Sequence, residues 1–317
     1  MTRKIRTLFI LVASAMTFAV ARADDEIKLA VGARGNWETA AAELGQKAGF
    51  FRKRGLTLDL LYTQGSGETQ QAVISSSVAI GVGLGTASVM NAFAKGAPLR
   101  AIGNASTGSS EYWYVAASSP VQSMRDAAGK TIAYSTVGAS SHLEVLGFLR
   151  FYGIDAKPIG TGGTAATFTQ VMSGQVDIGW SSPPFGVEAV AAGQIRIVAH
   201  GSELPYFRDQ TIRLIVANAD YLQAHQGIVA RFIQAYRDTL QWMYASPDAL
   251  AAYAEFAHVP EATARQVRVF YPRDNMQVDH VSGLASVMAD GVAFKYLAAP
   301  LSEGQVGKLF RIPAPLD

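Results

Sequence analysis

Ten short runs of apolar residues, rich in Val and Ile, recur along the chain after residue 26. Most of these runs are separated from the next by a segment of helical pattern, and they are apolar on both faces. Strands that are buried on both faces have this pattern, so it predicts mostly parallel sheets covered by helices. The predicted strands are residues 27–32, 56–63, 78–84, 99–106, 113–117, 131–135, 156–161, 176–181, 195–200 and 212–218.

From residue 221 onward the pattern changes to helices alone. Residues 227–246 keep apolar side chains at helical spacing. The next helix is predicted to begin with Ser246 as its N-cap and Pro247 at its first position, and a third follows Pro260. The chain is therefore predicted to end in a helical extension.

Two segments of the chain are copies of one another at a constant offset of 98 residues. Segments 65–81 and 163–179 are identical at seven of 17 positions, and each has a Gly, a hydroxyl residue, a helical run and a V-x-I-G strand. Upstream, segments 29–45 and 132–148 form a weaker pair with the order strand, turn, helix. One supersecondary unit used twice predicts two similar lobes with a cleft between them.

Each half of the chain has the order β-α-β-α-β, which predicts an α/β fold class with two α/β lobes. Segments 112–121 and 212–222 resemble each other, and we interpret both as strands that enter or leave a lobe. The second lobe is then inserted into the first, with a double-crossover hinge near residues 118–120 and 205–213. We expect the first lobe at residues 24–118 and 206–317, including the C-terminal helical extension, and the second at residues 119–205.

The first 23 residues have the composition of a signal peptide. Arg3, Lys4 and Arg6 form a positive amino-terminal region, residues 8–20 form an apolar stretch of 13, and residues 21–23 form an A-x-A cleavage site. The apolar stretch is shorter than the roughly 20 residues of a membrane span, although an uncleaved anchor is the alternative. We expect cleavage after Ala23 and export to the periplasm.

The composition excludes several classes of function. The chain has no cysteine, which excludes disulfides, thiol catalysis, Cys-ligated zinc and a lipid-modified N-terminal Cys. Four of its 27 basic residues lie in the leader, so the formal charge of +2 becomes about −2 once the leader is removed. The remaining chain has no excess of basic residues, so no nucleic-acid partner is expected. We expect a monomer without stable membrane insertion.

The motifs that would indicate a cofactor or a catalytic centre are incomplete. DAAGKT at residues 126–131 lacks the first Gly of a phosphate-binding loop, since Met124 stands there. GVGLG at residues 81–85 lacks the third Gly of a dinucleotide fingerprint, since Thr86 stands there. The five histidines have no metal-ligand spacing. We therefore predict no cofactor, no metal and no catalytic residue.

The candidate site lies at the turns where strands end and helices begin. In STVGASSHLEVLGF, residues 135–148, a strand ends, the chain turns at a Gly, and a helix starts whose free N–H groups suit an anion; plain capping by Ser140 is the alternative. Ligands of open α/β sheets bind at the carboxyl ends of strands, and the other turns are also small and hydroxyl-rich. The predicted ligand-binding residues are Arg34, Asn36, Trp37, Gly65, Ser66, Thr86, Ser109, Tyr112, Ser135, Ser140, Ser141, His142, Thr164 and Trp180.

Aromatic and basic residues near these turns are expected to complete the site. Trp37, Trp180 and Tyr112 would pack against the carbon skeleton of a ligand, although a Trp at a strand end is commonly a core residue. Trp180 stands where the other copy of the repeat has Val82, so one lobe would supply an aromatic wall that the other lacks. Arg34 could pair with an acidic ligand or be a solvated loop residue.

Three segments, together with the leader, resemble the nitrate/sulfonate/taurine substrate-binding proteins of ABC importers. They are KAGFFRKRGLTLDL at residues 47–60, GKTIAYSTVGASSH at 129–142 and QVMSGQVDIGWSSPP at 170–184, and the resemblance covers essentially the whole chain after the leader. It implies a type II periplasmic-binding-protein fold that closes on a small solute and delivers it to an ABC permease and its ATPase. The family is similar in fold to thiamine-pyrimidine synthases, whose Cys-rich motif is absent here.

Three functions remain open from the sequence. The first is a periplasmic solute receptor for a small anion, such as a sulfonate, a carboxylate or nitrate. The second is an exported enzyme on the same fold, which would need a nucleophile or a titrating pair in the cleft. The titratable residues near the turns form no recognisable constellation in the sequence: Glu38, Glu68, Glu111, His142 and Glu144. The third is a ligand receptor for a sensor kinase.

Overall fold

The computed structural model describes residues 24–32 and 34–316, so the expected leader lies outside the described residues. Ten strands lie at the ten predicted positions, with boundaries that differ by at most three residues. The strands are β1 (Asp25–Gly32), β2 (Leu56–Thr63), β3 (Ile80–Gly85), β4 (Leu99–Thr107), β5 (Tyr112–Ala116), β6 (Thr131–Tyr134), β7 (Lys157–Gly160), β8 (Gly179–Ser181), β9 (Ile195–His200) and β10 (Thr211–Asn218).

Thirteen α-helices lie between and after these strands in the part of the chain that the structure describes. The helices are α1 (Ala41–Lys47), α2 (Ser66–Ile74), α3 (Thr86–Ala94), α4 (Ser140–Tyr152), α5 (Thr164–Met172), α6 (Val187–Ala191), α7 (Pro205–Arg208), α8 (Ala219–Ala224), α9 (Gln226–Ala245), α10 (Pro247–Ala257), α11 (Glu261–Val269), α12 (Leu284–Ala293) and α13 (Glu303–Leu309).

The first sheet has the strand order β2-β1-β3-β10-β4. β1 runs parallel to β2 and β3, whereas β10 runs antiparallel to β3 and β4. Along β1, Leu29 and Val31 pack in one apolar cluster and Ala30 packs in a different one. Both faces of the sheet are therefore buried, which is why its strands have continuous apolar runs instead of alternation.

The second sheet repeats this topology with different strands. β5 pairs antiparallel with β8 and β9, and β6 pairs in parallel with β7. A single parallel bridge between Ile132 and Ile178 joins the two groups. The combined order is β7-β6-β8-β5-β9. The antiparallel strand β5 is fourth in this order, as the antiparallel strand β10 is fourth in the first sheet. The two-lobed α/β fold predicted from the repeat is confirmed.

The duplicated segments have the same internal geometry. α2 and α5 begin and end at equivalent positions, 98 residues apart. In the first copy the hydroxyls of Thr63 and Thr69 are 2.7 Å apart, and in the second those of Thr161 and Thr167 are 2.6 Å apart. These hydroxyl pairs tie the end of a strand to the first turn of the following helix, so the repeat preserves the turn as well as the core.

The shared Gly at the end of each copy is explained by packing. A Cβ atom added at Gly81 would lie 2.8 Å from Cγ2 of Val73, and one added at Gly179 would lie 2.7 Å from Cγ2 of Val171. The helix therefore packs against the strand too closely to admit a side chain. Both the Gly and the Val are among the identical positions of the repeat.

The predicted position of the first crossover is wrong. β5, which the sequence analysis assigns to the first lobe, pairs with β8 and β9 in the second sheet. Segments 112–121 and 212–222 resemble each other because β5 and β10 are the antiparallel fourth strands of their own sheets. We propose that lobe 1 comprises residues 24–107 and 211–316, that lobe 2 comprises residues 112–200, and that the chain crosses at residues 108–111 and 201–210.

The C-terminal helices extend lobe 1, as predicted. α9 packs along α1, and Phe232 on α9 contacts Phe51 with ring centroids 5.6 Å apart. At the start of α10, Ser246 accepts a hydrogen bond of 3.2 Å from the backbone N–H of Asp248, and Pro247 occupies the first turn. Among the described residues, no helix combines the length and the apolar character that crossing a membrane would require.

The close packing of helix and strand in the repeat predicts that alanine at either shared Gly destabilises the fold. Gly81→Ala and Gly179→Ala should each lower the free energy of unfolding by about 1–3 kcal/mol, because the new methyl group overlaps a β-branched side chain. Urea denaturation measures the effect. Gly307→Ala, on α13, is the control, since nothing lies within 4 Å of its added Cβ. Equal stabilities for all three variants would contradict this explanation of the repeat.

Candidate functional site

The amino-terminal ends of four helices meet where the two lobes face each other. A Cβ atom added at Gly85, before α3, would lie 3.0 Å from the carbonyl oxygen of Gly138, before α4. A Cβ atom added at Gly163, before α5, would lie 3.2 Å from Oε1 of Gln64, in the turn that precedes α2. The first turns of α2 and α3 in lobe 1 are therefore opposed by those of α4 and α5 in lobe 2.

These four helix ends have the same local chemistry. The residues that precede them are Gly65, Gly85, Ala139 and Gly163, and none of the four makes a side-chain capping bond in the structure described here. The first residue of each helix carries a hydroxyl group: Ser66, Thr86, Ser140 and Thr164. The free backbone N–H groups of the first turns are thus not occupied by a cap side chain.

Direct hydrogen bonds join the lobes beside these helix ends. The side-chain amide of Asn36 in lobe 1 donates to the hydroxyl of Ser182 in lobe 2 over 2.8 Å. The Tyr271 hydroxyl donates to the carbonyl oxygen of Pro183 over 3.2 Å. Asn36 therefore lies at the lobe boundary, where it contacts the segment that follows β8.

Several of the predicted hydroxyls are bonded within the protein. Ser66 accepts a hydrogen bond of 2.8 Å from the N–H of Gly85, and the Thr86 hydroxyl donates to the carbonyl of Thr211 over 2.7 Å. Ser141 accepts from the N–H of Ser135 over 3.0 Å, which closes the turn between β6 and α4. These hydroxyls therefore hold the turns in place by bonds within the protein.

Thr136 is a boundary residue that the sequence analysis did not select. Its hydroxyl oxygen is buried and has no hydrogen-bond partner among residues 24–32 and 34–316. It lies 3.4 Å from the position of a Cβ atom on Gly67, in the first turn of α2. A buried hydroxyl without a partner is uncommon in proteins and identifies a place where a ligand or water would be bound.

His142 is held by aromatic residues from both lobes. Its ring stacks on Tyr134 with centroids 3.9 Å apart, and its Nδ1 contacts the hydroxyl of Tyr296, which follows α12 in lobe 1. Burial lowers the pKa of His142 to about 4. The imidazole is therefore neutral near pH 7, so it supplies no positive charge for an anion.

The structure places two predicted aromatic contacts in cores. Trp37 is 0% exposed, donates its indole N–H to Tyr244 over 3.0 Å and packs edge-on against Tyr253. Tyr112 is also fully buried, and its hydroxyl donates to the carbonyl of Phe185. Burial raises the pKa of Tyr112 to about 12. The structure therefore shows that Trp37 is a core residue, which is the alternative that the sequence left open.

Trp180 and Arg34 differ in how they relate to the boundary. Trp180 is 6% exposed and donates its indole N–H over 3.2 Å to the hydroxyl of Thr161, the residue that follows β7. The Arg34 guanidinium lies 5.4 Å from the ring of Tyr62 and 5.2 Å from that of Phe256, and 3.9 Å from Glu43. Its partners are all in lobe 1, so the structure does not bring Arg34 together with the residues of lobe 2.

A cluster of buried charges lies at the same boundary. Arg213, on β10, contacts Glu38 and donates to Glu111 over 2.6 Å. It also donates to the hydroxyl of Ser140, at the start of α4, over 3.3 Å. The arginine thus links lobe 1 to the first crossover and to lobe 2.

Glu144 extends this cluster into lobe 2. Ser109 donates its hydroxyl hydrogen to Glu144 over 2.7 Å and accepts the backbone N–H of Glu111 over 3.1 Å. Burial raises the pKa of Glu144 to about 7, and burial together with the charge of Glu144 raises that of Glu111 well above its usual range. Three of the five titratable residues near the turns, Glu38, Glu111 and Glu144, therefore lie in one cluster that the sequence did not reveal.

The sequence contained one signal of this cluster. Arg213 interrupts the apolar run of β10, and a charged side chain in a strand buried on both faces requires a partner of opposite charge. The identity of that partner could not be read from the sequence, because Glu38, Glu111 and Glu144 lie between 69 and 175 residues away. Among the described residues, no group of His, Asp and Glu has the arrangement of a metal site.

Comparison with known proteins identifies the family and the fold. A family model described as NMT1/THI5 like matches residues 12–250 of the chain. Among curated proteins, no sequence matches this chain.

Solved structures share the fold at low sequence identity. The alkanesulfonate-binding protein SsuA from Xanthomonas axonopodis pv. citri, bound to MOPS, superposes with a TM-score of 0.77 and 18% identity over 92% of this chain and 100% of its own. The periplasmic nitrate-binding protein NrtA from Synechocystis PCC 6803 superposes with a TM-score of 0.71 and 14% identity over 91% of this chain and 86% of its own. The desulfurization enzyme DSZB superposes with a TM-score of 0.64 and 16% identity over 92% of this chain and 96% of its own.

The raised pKa of Glu144 predicts a pH-dependent stability. The free energy of unfolding should fall as the pH rises from about 5 to about 7, because the folded protein keeps a proton that the unfolded chain has lost. The difference between about 7 and the ordinary value of 4.5 corresponds to about 3 kcal/mol. Glu144→Gln, which mimics the neutral acid, should reduce this slope in urea denaturation between pH 5 and 8.

His142 acts with the opposite sign, so the comparison must be made between variants. Its lowered pKa makes the folded protein lose stability as the pH falls below about 6.5, in wild type and variant alike. The difference between the two curves therefore reports the proton of the Glu111 and Glu144 pair without the contribution of His142. Glu303→Gln, an exposed site on α13, is the control and should keep the wild-type slope. An unchanged slope in Glu144→Gln would contradict the buried neutral acid.

Proposed function

The chain belongs to the NMT1/THI5-like family, and from this membership and the geometry of its lobe boundary we propose that it is a periplasmic solute-binding protein. In this proposal it is exported by its leader, acts as a monomer and captures a small organic anion between its lobes. It then delivers the anion to an ABC permease and its ATPase. The observation that carries the proposal is the convergence of four uncapped helix ends at the boundary.

Helix ends of this kind favour an anionic ligand. The first turn of a helix presents unpaired N–H groups and the positive end of the helix dipole, each of which stabilises negative charge. Four such ends from two lobes would surround an anion when the lobes close. The unpartnered hydroxyl of Thr136 beside the first turn of α2 supplies a further donor. The ligand-binding residues in this proposal include Ser66, Thr86, Ser140 and Thr164.

The buried charges favour recognition by dipoles over recognition by a free cation. Arg213 is already in contact with Glu38 and Glu111, so its charge is balanced within the protein. A ligand with a single diffuse negative charge, such as a sulfonate, is suited to a ring of N–H groups. The similar proteins SsuA and NrtA bind alkanesulfonate and nitrate, which are both anions. We therefore place a sulfonate first among the candidate ligands, before carboxylates and nitrate.

An exported enzyme on the same fold is the second candidate function. The observation that favours it is the buried pair Glu111 and Glu144, because carboxyl groups with raised pKa values serve as general acids and bases. The desulfurization enzyme DSZB has a similar fold, which supports this candidate. Turnover of a stabilising solute, detected by chromatography of the bound compound after incubation, would favour this candidate. Recovery of the solute unchanged supports the binding protein.

A thermal-shift screen tests the proposed ligand class. A sulfonate ligand at 100 times its Kd should stabilise the protein by about 2.7 kcal/mol, which corresponds to roughly 5 °C or more in Tm. The matched control is the neutral sulfonamide of the same carbon skeleton, which should leave Tm unchanged. If no sulfonate, carboxylate or nitrate raises Tm, or if the neutral analogue is equally effective, the anion-binding proposal fails.

The role of the helix ends can be tested with proline, which keeps a helix start but removes its N–H group. Thr164→Pro removes one donor from the first turn of α5, and the extended backbone of Gly163 before it (φ −72°, ψ 163°) accommodates a following proline. Loss of one hydrogen bond to a charged ligand should weaken binding about ten- to 100-fold in isothermal titration calorimetry.

Two control variants separate the N–H group from other effects of the substitution. Thr164→Ala removes the hydroxyl but keeps the N–H group, and it should weaken binding less than Thr164→Pro. Glu303→Pro makes the same change at the start of α13, where Ser302 has a similar extended backbone (φ −67°, ψ 159°). That variant should bind as the wild type does. Equal losses in both proline variants would contradict a direct role for α5.

A further inference from the structure

Three glutamates and one arginine form the buried cluster at the lobe boundary, and each comes from a different part of the fold. Glu38 precedes α1 in lobe 1, Glu111 lies in the first crossover, Glu144 is on α4 in lobe 2, and Arg213 is on β10 in lobe 1. The three glutamates are 0%, 2% and 0% exposed, respectively. The cluster therefore assembles only when the two lobes are together.

The charges of this cluster do not balance if every group is ionised. Three carboxylates and one guanidinium would leave two negative charges without compensation in a place that excludes water. An isolated buried charge is strongly unfavourable, and a buried carboxyl group takes up a proton instead. The composition of the cluster thus requires at least one bound proton, whatever the ligand of the protein.

The hydrogen bonds of the cluster indicate where this proton lies. One oxygen of Glu111 accepts from Arg213, and one oxygen of Glu144 accepts from Ser109. The second oxygens, Oε2 of Glu111 and Oε1 of Glu144, are buried and have no partner in the described part of the chain. The Ser109 hydroxyl joins the two residues, since it donates to the Glu144 carboxyl group and accepts from the backbone N–H of Glu111. A proton shared between them would remove the repulsion and provide the missing donor.

We propose that Glu111 and Glu144 bind one proton between their carboxyl groups when the lobes are closed, and that the protein releases this proton when the lobes separate. Glu144 and Ser140 belong to lobe 2, whereas Glu38 and Arg213 belong to lobe 1. Opening therefore moves Glu144 and Ser140 away from Glu38 and Arg213 and admits water to the carboxyl groups of Glu111 and Glu144. These groups then ionise at neutral pH. Closure takes the proton up again, so the proton acts as a second ligand of the closed form.

The other groups that face the pair determine how tightly the proton is held. Arg213 favours ionisation of Glu111, and Glu38, on the other side of the guanidinium, offsets that effect. The Tyr271 hydroxyl, also near Arg213, is neutral because burial raises its pKa. Gly201 faces Glu144 and Ser109 without a side chain, and the preceding His200 has its ring against Tyr112 and Phe270.

This coupling gives the closed form a definite pH dependence. The closed form binds a proton that the open form has lost, so a rise in pH favours opening. The affinity for a solute that is enclosed by closure must fall over the same pH range. The inference rests on the opening and closing of the proposed solute-binding protein, but its first test requires no solute.

The first test is a titration of glutamate side chains in the full protein. Carbon NMR of protein labelled at the glutamate δ carbon, recorded from about pH 4 to 9, should show two coupled resonances that titrate more than one pH unit above a free glutamate, at about 4.3. Glu111→Gln and Glu144→Gln should each remove one resonance and shift the other. Glu303→Gln, exposed and remote, is the matched control and should leave both unchanged.

The wild-type titration alone shows whether the carboxyl pair binds a proton, even if a variant fails to fold. If every glutamate has lost its proton by about pH 5.5, or if the two resonances titrate independently of each other, the proposed proton site is wrong. Because no solute is added, this result is separate from that of the ligand screen. If the titration shows a shared proton and the ligand screen fails, the proposed proton site stands and the proposed class of solute is rejected.

The second test measures lobe separation by small-angle X-ray scattering of the same proteins. The wild type should have a larger radius of gyration at about pH 9 than at about pH 6, whereas Glu144→Gln, which is neutral at every pH, should have the smaller radius at both. Glu303→Gln should behave as the wild type does. A wild-type radius that does not change with pH while the carboxyl pair titrates would overturn the coupling to lobe separation.

Discussion

Arg213 carries a positive charge on a strand that is buried on both faces, and the contacts that compensate this charge organise the lobe boundary. The guanidinium contacts Glu38 in lobe 1, Glu111 in the crossover and Ser140 at the start of α4. Because a buried ion without partners is strongly unfavourable, these groups must come together for the closed arrangement to be stable. The position of α4, and with it one of the four helix ends, thus depends on a contact made from lobe 1.

The repeat explains why the boundary has similar chemistry on both sides. Each copy begins its helix with a hydroxyl residue after a Gly, and each packs that helix against a strand at a Gly that faces a Val. The resulting first turns have no side-chain cap bond on either side of the boundary. The copies differ at one buried position: Val82 in lobe 1 corresponds to Trp180 in lobe 2, whose indole donates to Thr161.

Much of the fold could be predicted from the sequence, since it depends on local patterns. All ten strands lie within three residues of their predicted positions, and the helix that begins at Ser246 and Pro247 does so in the structure. The first crossover could not be placed, because β5 and β10 have equivalent surroundings in different sheets and therefore similar sequences. For the candidate site, the helix-start turns could be predicted from the sequence, whereas Trp37 and Tyr112 could not be distinguished from core residues, because burial depends on what packs against them.

By itself the sequence determined the two-fold repeat, the order of strands and helices, and the hydroxyl-rich starts of the four helices, all of which follow from residues close together in the chain. Only the tertiary structure decided that these helix starts face one another. It alone brought Glu38, Glu111 and Glu144 around Arg213 and Ser109. The physical reason is that burial and charge compensation are properties of groups that meet across a hinge, and no local pattern specifies which distant side chain will neutralise a buried charge.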